Sequence, residues 1–318
     1  MDDTIALDRA ATSTGTDPST SANAPVEGDH ADVARRLLRS SEMLSFDPVQ
    51  EVDWETPLDT EFHGASPEWS TLYGTTYWDE MTPEQRRELT RQESASVAST
   101  GIWFEMILQQ MVIRDMYAKD ASQAHFQFAL TEVADECRHS VMFARTAEKF
   151  GCPSYVPRKS VVTLGRGFKA LASGEVAYAG ILVAEEILDV MQRDWMKDTR
   201  VQPIVRVTSK IHVVEEARHM RFAREETLRR AQGMSKAHRA ASRACIAIAS
   251  NLIVSSMINP AVYAAAGLDT ERALREAKNN RFRAEKIRES SQPLMRFLDD
   301  ADLLGGPSRH LYKRVNML

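Results

Sequence analysis

The sequence predicts an all-α protein whose centre is a bundle of four long helices. Convincing period-two alternation of apolar and polar residues appears nowhere, so strands are not expected. Helix start and stop signals divide the chain into long helical stretches. In two of those stretches the same Glu-x-x-His spacing recurs, 80 residues apart.

The elements follow in order. Residues 1–30 are rich in Ser, Thr, Asp, Ala and Gly and hold almost no large apolar side chains. They cannot bury enough surface to offset the entropy of ordering, so they read as a disordered tail. Residues 31–318 read as one helical domain with its core bundle over about 85–235. A helix is expected over about 31–44, then an irregular wrap over 46–81 that holds Pro57, Gly64, Pro67, Gly74 and several aromatics. Thr82-Pro83-Glu84-Gln85 is a strong helix start: Thr82 can cap, Pro83 suits the first turn, and Gln85 completes a capping box. That helix runs to about residue 119. A second spans about 121–149 and stops at Gly151-Cys152-Pro153. A linker with Pro153, Pro157, Gly165 and Gly167 follows. The third long helix covers about 175–198 and the fourth about 202–232, ending at Gly233. Further helices are expected over 235–258, 260–266 and 269–299.

Bulk properties narrow the class. With 318 residues and 43% hydrophobic content, the chain can bury one large core or two small ones. With a net charge of −5, no strong attraction to nucleic acid is implied. Cys137, Cys152 and Cys245 are too few and too scattered for a disulfide framework and fit a reducing compartment. Met1-Asp2-Asp3 lacks the basic start of a secretory signal. The most apolar window, 244–258, is interrupted by Ser250, Asn251, Ser255 and Ser256; it reads as a buried core helix, too short to span a membrane. A soluble cytoplasmic protein without membrane or nucleic-acid partners is expected, as a homodimer.

The chemistry lies in Asp135-Glu136-Cys137-Arg138-His139 and Glu215-Glu216-Ala217-Arg218-His219. On a helix, residues three apart share a face, so each Glu-x-x-His can offer a carboxylate and an imidazole to one metal ion. One such match is weak; Glu27-Gly28-Asp29-His30 matches too, within the tail. A shift of 80 residues, however, also lays Glu105 on Glu185, Arg138 on Arg218 and Asp135 on Glu215. This register argues for a duplicated helical hairpin. Glu105 and Glu136 are 31 apart, as are Glu185 and Glu216, with midpoints near 120 and 200. If the chain bends there, each Glu stands about 22 Å along its helix from the bend, and antiparallel partners bring their carboxylates level. Two such hairpins would converge four glutamates and two histidines inside the bundle. That is the ligand set of ferritin-like di-metal carboxylate proteins. Carboxylate with imidazole suits iron or manganese better than zinc. The competing reading, salt bridges on solvated faces, is weakened by the apolar runs Ile102-Trp103-Phe104 and Ile181-Leu182-Val183-Ala184 beside the glutamates. His212, on the face of Glu216 and His219, is a candidate seventh ligand.

These residues resemble the AurF-type di-iron N-oxygenases (p-aminobenzoate N-oxygenase-like). The likeness rests on Glu105, residues 135–139, Glu185, Val201-Gln202-Pro203-Ile204 and residues 211–219, and it covers about 85–235. The family's third histidine matches His212. The resemblance implies a ferritin-like four-helix bundle with additional helices, and two iron ions held by Glu105, Glu136, His139, Glu185, His212, Glu216 and His219. It implies dioxygen as co-substrate and N-oxygenation of an arylamine-type small molecule. No flavin, nicotinamide or iron–sulfur fingerprint is present, so an external electron donor, a ferredoxin or a reductase, is expected.

Metal-bound imidazoles usually donate their other N–H to a carboxylate. Asp135 is therefore expected to orient His219, and Glu215 to orient His139, each across the repeat, with Arg138 and Arg218 closing the networks. Glu132 takes the place of His212 under the 80-residue shift and is a further candidate beside the site. Three rival functions remain open at this point: a C–H hydroxylase or desaturase on the same metal pair, an iron-storage or ferroxidase bundle, and a non-catalytic helical module.

Overall fold

A computed structural model describes residues 27–318. Of the expected tail, residues 1–30, residues 1–26 lie outside the described residues, and 27–30 form the start of a helix rather than a disordered end. The described residues form no strand; one isolated parallel bridge joins His63 to Val201. The helices are α1 (Glu27–Met43), α2 (Pro48–Glu51), α3 (Thr76–Glu80), α4 (Pro83–Met116), α5 (Ala124–Lys149), α6 (Lys159–Leu171) and α7 (Gly174–Lys197). They continue as α8 (Pro203–Ala231), α9 (Lys236–Ser256), α10 (Ala261–Ala265), α11 (Thr270–Lys278), α12 (Arg281–Asp300) and α13 (Arg309–Arg314).

The bundle is α4, α5, α7 and α8. The capping box at the head of α4 is formed: Thr82 Oγ1 accepts from the Gln85 N–H and Gln85 Oε1 accepts from the Thr82 N–H. The bends fall where the spacing placed them, between Met116 and Ala124 and between Lys197 and Pro203. Each bundle helix crosses three zones. One apolar cluster holds Met111, Phe128, Leu182 and Phe222. The other holds Leu89, Met142, Trp195 and Val205. Between them lies a layer of buried Glu and His. The first bend therefore lies at one end of the bundle and the second at the other. The two hairpins are related by a half-turn across the bundle axis, which is the geometry the 80-residue repeat requires.

The wrap over 46–81 carries two short helices, α2 and α3, and three further elements differ from expectation. The linker after α5 contains α6, thirteen helical residues. Its apolar positions Val161, Leu164, Phe168 and Leu171 recur at helical spacing, but Gly165 and Gly167 obscured them. Gly165 is a packing requirement, since a Cβ there would sit 2.3 Å from the Trp103 ring of α4. The helix expected over 269–299 is two, α11 and α12, broken at Asn279 and Asn280. Asn280 caps α12 by accepting from the Arg283 N–H, and its amide donates to the carbonyls of Thr71 and Tyr73 in the wrap. Lastly, α9 is no fully buried core helix. With α10 it forms a 30-residue apolar run, Lys236–Ala265, long and apolar enough to cross a membrane by composition, and 33% of its most apolar window is buried. Part of its apolar face lines a cavity instead of core.

Candidate metal centre

The polar layer collects groups from all four bundle helices. Glu105 comes from α4, Glu136 and His139 from α5, Glu185 from α7, and His212, Glu216 and His219 from α8. None is more than 2% exposed. Three overlapping groups bring ligand atoms within 4.8 Å of one another: Glu105 with His139 and His212, Glu136 with Glu216 and His219, and Glu185 with His212 and Glu216. All seven residues singled out in the sequence thus share one site.

Both Glu-x-x-His histidines are oriented alike. His139 Nδ1 lies 3.2 Å from both Glu136 Oε2 and Glu216 Oε1. His219 Nδ1 lies 3.0 Å from both Glu136 Oε1 and Glu216 Oε1. Glu136 and Glu216 therefore form the centre, shared by the two halves. Each Nε2 points outward to a carboxylate of the other hairpin, His139 to Glu215 at 2.7 Å and His219 to Asp135 at 3.2 Å. An outer belt closes around these carboxylates. Arg138 donates to Asp135 and to Ser45. Arg218 donates to the Leu44 carbonyl at 2.9 Å. The Phe46 N–H donates to Glu215 at 3.0 Å. The segment after α1 thus seals one side of the site.

His212 Nε2 stands 3.5 Å from Glu105, 3.6 Å from Glu216 and 4.0 Å from Glu185. Glu132, its counterpart under the repeat, is also fully buried, and neither of its oxygens has a hydrogen-bond partner.

The electrostatics follow from crowding carboxylates and imidazoles away from water. Burial, then the charge of Glu136, holds Glu105 well above the ordinary carboxyl range. Burial, then Glu216 and Glu136, does the same to Glu185. Burial also raises Glu136, but hydrogen bonds with Glu105, His139 and His219 outweigh it and hold that carboxylate well below its usual range. Glu216 is pushed up by burial and by Glu136, yet His219, His212 and His139 bring it to about 2. His139 and His219 are raised well above an ordinary imidazole, because their carboxylate neighbours overcome burial. Burial lowers His212 to about 4, leaving it neutral. Two glutamates and two histidines are thus pushed toward their protonated forms. Buried oxygens of Glu105, Glu185 and Glu216, and both ring nitrogens of His212, have no hydrogen-bond partner. Unpaired buried polar atoms are costly, and divalent cations would satisfy these. The donor set, four carboxylates and three imidazoles, fits a pair of such ions.

Sequence reasoning missed the space beside this layer. A cavity of about 560 Å³ opens next to Glu185, bounded by α4, α6, α7 and α9. Trp103, Phe104, Phe168, Ile181, Ile248 and Leu252 are among its walls. Its volume lies in the range that encloses a small organic ligand, roughly 300–1,000 Å³. The helical spacing in α6 was the available signal; nothing in sequence showed that α6 and α9 would face each other across a gap.

A family model described as p-aminobenzoate N-oxygenase AurF matches residues 27–302. Among curated proteins, uncharacterized proteins of Mycobacterium bovis and Mycobacterium tuberculosis are 25% identical to this chain over 224 residues, 67% of its length. The matched stretch spans 65% of those relatives, slightly under two thirds.

Proposed function

This chain belongs to the p-aminobenzoate N-oxygenase AurF family, and we propose that it is a di-iron enzyme that uses dioxygen to oxidise the nitrogen of an amine. The observation that carries this reading is the convergence of Glu105, Glu136, His139, Glu185, His212, Glu216 and His219 in one buried layer beside a cavity. These seven residues would hold the ions. When bound, the ions supply the electrons and coordination sites through which dioxygen is reduced.

The remaining work belongs to the protein. Glu215 and Asp135 accept the Nε2–H of His139 and His219 and so present Nδ1 inward. Arg138 and Arg218 hold those carboxylates in place. The apolar cavity walls exclude water and place the amine next to Glu185. In the overall reaction one oxygen atom joins the nitrogen and the other leaves as water. That balance takes two electrons and two protons from outside, so a ferredoxin or reductase is the expected partner. Three free cysteines accord with a cytoplasmic setting. A homodimer is the proposed assembly, and light scattering tests it; a shell-sized particle would favour iron storage instead.

C–H hydroxylation or desaturation is a second reading, favoured by the apolar walls of the cavity. One experiment addresses both. The iron-loaded protein is reduced without oxygen, mixed with dioxygen, and given a panel of aryl and alkyl amines. Oxidised nitrogen in the product supports the proposal. Products oxidised at carbon favour the second reading, and no reaction of the reduced protein with dioxygen overturns both.

A further inference from the structure

The cavity beside Glu185 has a second polar place at its other end. Glu175 also lines it, ten residues earlier on α7 and therefore about 15 Å away along the helix. Glu175 is 4% exposed. Ser242 of α9 donates to its Oε1 at 2.6 Å, and His238 Nε2 lies 3.1 Å from the same oxygen. The span between Glu175 and Glu185 is walled by apolar side chains, and among the described residues neither arginine nor lysine lines the cavity. At the lip, Leu164, Leu171 and Ile248 are exposed.

This arrangement selects by charge. A donor group arriving at the far end meets a fixed carboxylate in apolar surroundings, where charge-assisted hydrogen bonds are strong. A ligand carboxylate arriving there meets like charge and finds no arginine or lysine among the described lining residues to replace its lost water. The carboxylate of an aminobenzoate would meet the same obstacle. We propose that the cavity takes an elongated apolar amine whose far end carries a hydrogen-bond donor, an ammonium or a hydroxyl, and that Glu175 is the residue that rejects carboxylate-ended molecules. The proposal rests on the cavity being the substrate site of the enzyme described above.

Three probes test it. Each carries an aniline at one end and a butyl tether ending in ammonium, hydroxyl or carboxylate. Calorimetry measures their binding to the full-length iron-loaded protein without reductant, so no turnover occurs. The ammonium and hydroxyl probes are expected to bind about tenfold or more tighter than the carboxylate, the size of one strong hydrogen bond. Glu175→Gln is expected to bring the ammonium and carboxylate probes within about threefold of each other. Ser242→Ala, which keeps the charge but loses the orienting hydroxyl, is expected to weaken the ammonium probe and still reject the carboxylate. A carboxylate probe that binds the wild type as well as the ammonium probe overturns the proposal, as does the absence of binding by all three. So does a preference that Glu175→Gln leaves unchanged. A failure to oxygenate any amine would leave these binding results standing, and the reverse holds too.

Discussion

His139 Nε2 lies 2.7 Å from Oε2 of Glu215, a residue of the opposite hairpin. The reciprocal pair, His219 with Asp135, is longer at 3.2 Å. Neutralising either acceptor weakens the charge-assisted hydrogen bond that orients an imidazole of the other half. Glu215→Gln and Asp135→Asn are each expected to weaken metal binding by about 10–100-fold, with Glu215→Gln the more severe. Competition against a chromophoric chelator measures this, and wild-type affinity in both variants would refute the role assigned to these carboxylates.

His212 stands where Glu105, Glu185 and Glu216 approach one another. His212→Ala is expected to weaken the ion nearest Glu185 and spare the other, moving the metal-to-protein ratio from two toward one. Glu132→Gln should retain the pair, because burial pushes the Glu132 carboxyl well above its ordinary range, toward the neutral form that Gln resembles. Metal analysis after gel filtration reads both variants. Two retained ions in His212→Ala would remove that histidine from the site.

Metal loading should depend on pH in a definite direction. In the metal-free protein Glu105, Glu185, His139 and His219 all have raised pKa values. Their stabilising contribution is complete in acid, below their unfolded-state values, and is lost as pH rises through the folded ones. Cations replace those protons, so loading releases protons and tightens with rising pH. The gap in Tm between loaded and chelated protein is expected to widen from about pH 5.5 to 8.5. A gap that narrows over that range would contradict the proton balance drawn for the site.

Gly64 packs against the backbone of α4; a Cβ there would fall 2.4 Å from Arg91 Cα. Backbone yields less readily than a side-chain tip. Gly64→Ala is therefore expected to destabilise the fold by about 1–3 kcal/mol. The neighbouring residue, His63, bridges to Val201 at the second bend. Denaturant melts check the loss of stability, while metal stoichiometry in the cold should be unchanged. A wild-type midpoint would show that the wrap shifts freely.

What could be read from sequence was whatever repeats or punctuates. The Thr82 capping box, the two bends and the pairing of Asp135 with His219 follow from local chemistry and from one shift of 80 residues. What escaped depends on neighbours distant in the chain. Gly165 reads as a helix breaker until the Trp103 ring that needs its space is in view. Asn280 reads as one more helical position until Thr71 and Tyr73 present their carbonyls. The cavity was invisible because an apolar α9 side chain has the same appearance whether it meets core or a gap.

The repeat also has a consequence for symmetry. One hairpin used twice would have to place the same residue at both related positions, two histidines or two glutamates. Joining both copies in one chain releases that constraint. Here His212 and Glu132 have diverged, and the cavity opens beside Glu185 without reaching its twin Glu105. The two ions would therefore be inequivalent from the start, one facing the incoming molecule and the other screened behind it. The duplicated chain would thereby give a reaction at this site a front and a back.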